Sequence, residues 1–162
     1  MATTAELYEN DFVRWTEEQA KALRLAADAR LNLPVDWEHV AEEVESLGQS
    51  QRSELMSRVA TIIEHLLKLE HSPAIDPRRG WVETVDRERD SVRRLLRASP
   101  SLRPGLPEII AAELEPGRRA ALARLARYGE ADTAVRAAVA ATHYTMEQVF
   151  GDWLPPGATR TT

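Results

Sequence analysis

Cysteine is absent from the 162 residues, which excludes disulfides, thiolate metal sites and a cysteine nucleophile. Glycine is scarce, with seven residues, and they fall mostly where helix ends are expected. No Gly-rich phosphate loop, no GxSxG elbow and no His-Glu-x-x-His pair occurs. Aromatic residues make up only 6% of the chain. Long apolar runs are missing: Val59-Ala60-Thr61-Ile62-Ile63 is interrupted even at five residues. Nothing reads as a membrane span, and Met1–Asn10 has neither a basic start nor an apolar h-region. Lysine is nearly missing too, two residues against 19 arginines. GC-rich coding accounts for that bias, so the arginine count alone does not argue for phosphate binding.

What is present suffices for a core. Hydrophobic residues are 43% and charged residues 29%, the balance of a folded domain rather than a disordered tail. Net charge is -5 and the pI is about 5.5, which disfavours a general nucleic-acid binder. The charge is uneven. Residues 1–76 hold 7 basic against 15 acidic side chains, and residues 77–162 hold 14 against 11. The halves are therefore net -8 and +3, and they can attract each other within one fold or between copies. A soluble, cytoplasmic, single-domain protein over 1–162 is expected, with 156–162 as a flexible tail.

Apolar spacing predicts helices nearly throughout. Tyr8, Phe12, Trp15, Gln19, Leu23 and Ala26 share one face of a first helix ending near Arg30. Asp36 is placed to cap a second helix that buries Trp37, Val40, Ala41, Val44 and Leu47, with Gly48 a C-cap or bend. Leu55, Val59, Ile62, Leu66 and Leu69, widened by Met56, Ile63 and Leu67, mark a central helix. Ser72-Pro73 stops it and Pro73–Gly80 reads as a loop. A fourth helix from Trp81 uses Val85, Val92 and Leu96 and ends at Ser99-Pro100. Leu106, Ile109, Ile110 and Leu114 open a fifth. Pro116-Gly117 either kinks it or starts another, and Leu122, Leu125 and Tyr128 continue to Gly129. Asp132–Ala141 forms a short helix, and Thr145 with Gln148 fits a capping box for the last. No strand alternation appears. The predicted fold is all-α, a bundle-like domain of five to seven helices.

Several polar residues sit on or beside these apolar faces. Arg89 lies in line with Val85, Val92 and Leu96. It either needs buried partners or snorkels from the bundle edge. His65 lies about 40° beyond the apolar arc of the central helix at ~100° per residue, where structural histidines are common. Glu43 borders the apolar face of the second helix, whereas Glu42 points nearly opposite and reads as solvated. Glu43, His65 and Arg89 can converge if the chain folds back at Gly48. If residues 36–70 form one helix, Glu43 and His65 are about 33 Å apart.

A metal site is a second possibility, with His39, Glu43, His65 and His143 as candidate ligands, since His39 and Glu43 are one turn apart. The alternative is histidines scattered on the surface. Arg87, Arg89, Arg93, Arg94 and Arg97 alternate with Glu83, Asp86, Glu88 and Asp90, as on a solvated helix face. Arg118, Arg119, Arg124 and Arg127 are less compensated, but no aromatic residue interleaves with them to stack a base.

The order of motifs resembles a known family. They are Tyr8-x-x-Asp11-Phe12-x-x-Trp15; Asp36-Trp37-Glu38 with Glu42-Glu43-Val44-Glu45-Ser46-Leu47-Gly48; His65-Leu66-Leu67-Lys68; Trp81 with Arg89; Ser99-Pro100-Ser101-Leu102-Arg103; and Tyr144-Thr145 with Gln148 and Leu154-Pro155. Over roughly residues 7–155 this is similar to a bacterial family known as domain of unknown function number twenty-nine. Gly129–His143 fits the pattern least. The resemblance implies a small all-α bacterial protein and supplies no activity, substrate or catalytic residue. It draws Glu42, Glu43, His65, Trp81 and Arg89 together as a candidate polar cluster, either an ion network or a ligand pocket.

The leading expectation is a non-catalytic helical interaction module that binds a protein partner or a second copy of itself. A metal- or small-ligand-binding bundle with a Glu/His/Arg pocket is the alternative. Nucleic-acid binding through the arginines of 118–127 is third. No cofactor and no membrane contact are expected.

Overall fold

The computed structural model describes residues 3–29 and 33–160. They are all-α and contain no strand. In chain order come α1 (Thr4–Asn10), α2 (Phe12–Asp28), α3 (Trp37–His71), α4 (Arg78–Ala98), a 3-10 turn (Pro100–Gly105), α5 (Leu106–Arg127), α6 (Thr133–Ala141) and α7 (Met146–Phe150). The chain divides into two compact units, Met1–Leu55 with Arg93–Pro104, and Met56–Val92 with Gly105–Thr162. None of the helices is long and apolar enough to cross a membrane, among the described residues.

The first unit differs from its sequence pattern in three ways. The expected first helix is two, because Asp11 leaves helical geometry at φ -157°. Its carboxylate caps α2 at the Arg14 amide and also accepts from the Ser101 amide (2.9 Å) and hydroxyl (2.7 Å). One side chain thus serves a helix start and a distant turn. The expected end at Arg30 lies outside the described residues; α2 stops at Asp28.

The buried face of α2 is also not the aromatic one. Val13, Thr16 and Ala20 are buried, while Tyr8, Phe12 and Trp15 cluster among themselves at 5.0–6.1 Å between ring centroids. Tyr8 is exposed.

Third, Gly48 neither caps nor bends. α3 runs unbroken through it, and the glycine is there for close approach: a Cβ would stand 2.3 Å from Thr16 Oγ1. The packed face is accordingly Ala41, Gly48 and Leu55, seven residues apart, while Val40 and Leu47, expected inside, are exposed. Small residues let the helix axes approach, and the larger ones are left at the margins.

The second unit follows its pattern more closely. Val59, Ile62, Ile63, Leu66, Leu67 and Leu69 of α3 are buried with Val82, Val85 and Val92 of α4 and Ile110 and Leu125 of α5. α5 continues through Pro116 and Gly117 without a break. Gly117 sits against Ile63, where a Cβ would come within 2.6 Å of Cγ2. Arg78 closes the C-terminus of α3, donating to the carbonyls of Leu69 (2.8 Å) and Ser72 (3.3 Å), which have no partner within the helix. Thr145 and Gln148 form the expected capping box of α7.

Candidate functional site

The second unit contains a cavity of about 750 Å³. Its floor comes from α3, where Glu64, His65 and Lys68 project on one side because they are three and four residues apart. Trp81 of α4 forms a wall, with Asp76 and Pro77 before it and Arg124, Leu125, Tyr128 and Glu130 from the end of α5 and the turn beyond.

Lys68 is the centre of this arrangement. Only 5% of it is exposed, so its ammonium requires partners. It donates to Glu64 Oε1 at 2.9 Å and to His65 Nε2 at 3.1 Å, and it lies 5.3 Å from the centre of the Trp81 ring. Two of three ammonium hydrogens are thereby used, and the third is left for the Trp81 face or a ligand.

The tautomer of His65 follows from its neighbours. Nδ1 is 2.9 Å from the Thr61 carbonyl, which can only accept, so Nδ1 carries the hydrogen and Nε2 offers its lone pair to Lys68. Burial, and then the Lys68 charge, push His65 below its ordinary pKa, consistent with a neutral ring. Burial likewise pushes Lys68 down; Glu64 opposes that shift and the Arg124 charge adds to it.

Of the sequence-derived cluster, His65 and Trp81 meet at this cavity. Glu42 and Glu43 are exposed near the start of α3. Since α3 is unbroken, Glu43 and His65 are separated by about 33 Å of helix at a rise of ~1.5 Å per residue. Arg89 is buried at 1% exposure but does not line the cavity. Its guanidinium donates to the carbonyls of Val149 (2.9 Å), Gln148 (2.7 Å) and Trp153 (2.8 Å). It therefore clamps the end of α7, where helix carbonyls lack partners and the helix dipole favours a cation.

The candidate metal ligands are dispersed. His39 is exposed and bonded through Nδ1 to Asp36 at 2.6 Å, a contact that raises its pKa. His143 is exposed beside Arg118. Among the described residues no group of three or more His, Asp or Glu is placed to hold a metal ion. Of the C-terminal arginines, Arg118 is engaged with the Thr142 carbonyl at 2.7 Å and Arg124 belongs to the cavity.

Glu64, Asp76 and Glu130 have no place in the sequence patterns, and Lys68, Arg124 and Tyr128 enter them only as part of a motif, a set of arginines and an apolar face. A signal existed for Lys68: it is one of two lysines in a chain with 19 arginines, and Glu64 and His65 are its helical neighbours. Asp76 and Glu130 lie in turns, where spacing carries no directional information.

A family model described as "Domain of unknown function DUF29" matches residues 7–154, most of the chain. No curated protein and no solved structure matches it.

Proposed function

The chain belongs to the DUF29 family, and from the cavity geometry we propose that it is a small-ligand-binding helical protein. The observation that carries this reading is a buried lysine ammonium opening onto a cavity of about 750 Å³ beside an indole face. The cavity sets the apolar surface of Trp81 and Leu125 beside charged groups of both signs, and a concavity with convergent polar groups is where small molecules bind. Trp81 and Leu125 offer surface for a flat apolar group, Lys68 a hydrogen bond, and Arg124 at the margin a cation for an acidic substituent. Among the described residues Arg124 has no hydrogen-bond or salt-bridge partner.

Titration with aromatic acids, followed by the Trp81 indole NMR signal, tests this. Binding should shift that signal in the wild type and not in Lys68→Met. Shifts that persist in Lys68→Met, or no response to any member of a broad panel, would refute the assignment.

A second reading is favoured by a separate observation. Val40 and Leu47, one helical face of α3 in the first unit, are 40% and 51% exposed, with Leu25, Leu33 and Val35 of the same unit exposed as well. Exposed apolar side chains on one helix face support docking of a protein partner or a second copy. Light scattering of wild type and of Val40→Glu/Leu47→Glu decides the self-association form. A monomer in both cases rejects it.

A further inference from the structure

Resting on the ligand-binding reading, we propose that Lys68 is a covalent site: its amine condenses with the carbonyl carbon of a ligand that also bears an acidic group, forming an imine in the cavity. Composition is the first argument. An arginine would form the ion pair with Glu64 and stack on Trp81 at least as well, yet an arginine-rich chain has lysine here, the one cationic side chain capable of amine chemistry.

Geometry is the second. His65 Nε2 stands 3.1 Å from Lys68 Nζ with its lone pair toward it, so the ring can take the proton that must leave before the nitrogen attacks. Burial weakens the hold of the ammonium on that proton. The third is charge. Glu64 at 2.9 Å offsets the Lys68 charge, which makes the inner end poor for a bare anion and suited to a neutral carbonyl; Arg124 receives the acidic group in a lining that also holds Asp76 and Glu130, the latter engaged by the Ser72 hydroxyl at 2.7 Å.

The steps balance. The ammonium passes one proton to His65, and the amine lone pair forms the C–N bond. The nitrogen passes one of its two remaining hydrogens to the carbonyl oxygen, His65 returns its proton to that same oxygen, water leaves, and the nitrogen keeps its last hydrogen. The product is an iminium, so the positive charge opposite Glu64 is kept.

The test treats the full chain with phenylpyruvate and sodium cyanoborohydride near pH 7 and maps modified lysines by peptide mass. Lys21, 67% exposed, is the internal reference. Lys68 should be reduced onto the probe several-fold faster than Lys21. His65→Gln should slow Lys68 without changing Lys21, and Lys68→Arg should leave α3 unmodified. Modification of Lys68 at or below the Lys21 rate overturns the proposal. Phenyllactate, which lacks the carbonyl, separates the two readings. If it shifts the Trp81 indole while Lys68 is not trapped, imine chemistry is rejected and the pocket stands; if neither occurs, both are rejected.

Discussion

Arg89→Met removes the clamp on α7 while keeping most of the side-chain volume. Three carbonyls lose a charged donor. The bond to Val149 is buried, and a buried acceptor left without a partner costs about 1–3 kcal/mol. Those to Gln148 and Trp153 are part-buried, so water replaces the donor and the loss is about 1 kcal/mol each. The guanidinium no longer has to be desolvated, which offsets part of this sum. A net destabilisation of about 3 kcal/mol is expected, and in a chain of this size it lowers Tm by roughly 6–12 °C. Circular dichroism during heating and in urea measures it, and hydrogen exchange at residues 146–154 should accelerate first. Arg89→Lys keeps the charge but not the fork, and should recover less than half the loss. An unchanged or higher Tm for Arg89→Met would refute the reasoning, because it would mean that burying the guanidinium costs as much as its bonds return.

Gly48→Ala should destabilise by about 1–2 kcal/mol, the clash with Thr16 outweighing alanine's better helix propensity; urea midpoints check this, and Thr16→Ala in the same chain should restore most of the loss. Asp11→Ala removes a cap and both bonds to Ser101, an expected loss of about 2 kcal/mol by the same assay. His65 is held neutral in the fold, whereas in the unfolded chain it titrates near pH 6.5. Its contribution is therefore whole above about pH 6.5 and is lost as pH falls toward the lowered folded value, by at most ~1.4 kcal/mol per pH unit. Wild type minus His65→Gln, measured between pH 7.5 and 5, isolates that slope from the carboxylates common to both, and parallel curves would contradict it.

The two units were not equally legible. From Leu55 to Leu69 the apolar spacing identifies the buried residues with the exception of Met56, which is exposed, because large aliphatic side chains dominate burial wherever they can pack. From Tyr8 to Leu47 the same rule finds Ala41 but puts Tyr8, Val40 and Leu47 inside, and these three are exposed. There Gly48 packs against Thr16 while Ala20 and Ala41 are buried, and small residues carry little weight in a pattern of hydrophobicity though they permit the closest helix approach. The candidate site was half legible. His65 and Trp81 were in the cluster, Lys68 stood in a quoted motif, and Arg89 was recognised as out of place. Three of Arg89's partners are main-chain carbonyls, which every residue has and which no sequence pattern marks.

The sequence by itself determined that this protein is helical, where most of its helices start and stop, and which family it joins. Those properties arise from neighbours along the chain: apolar periodicity, capping side chains and proline. Tertiary structure decided that α3 passes straight through Gly48, that Glu43 stays away from His65, and that Lys68 is enclosed beside Trp81. Each of these depends on what meets a helix from the side. A glycine that ends one helix and a glycine that admits another are the same residue until the partner is in place.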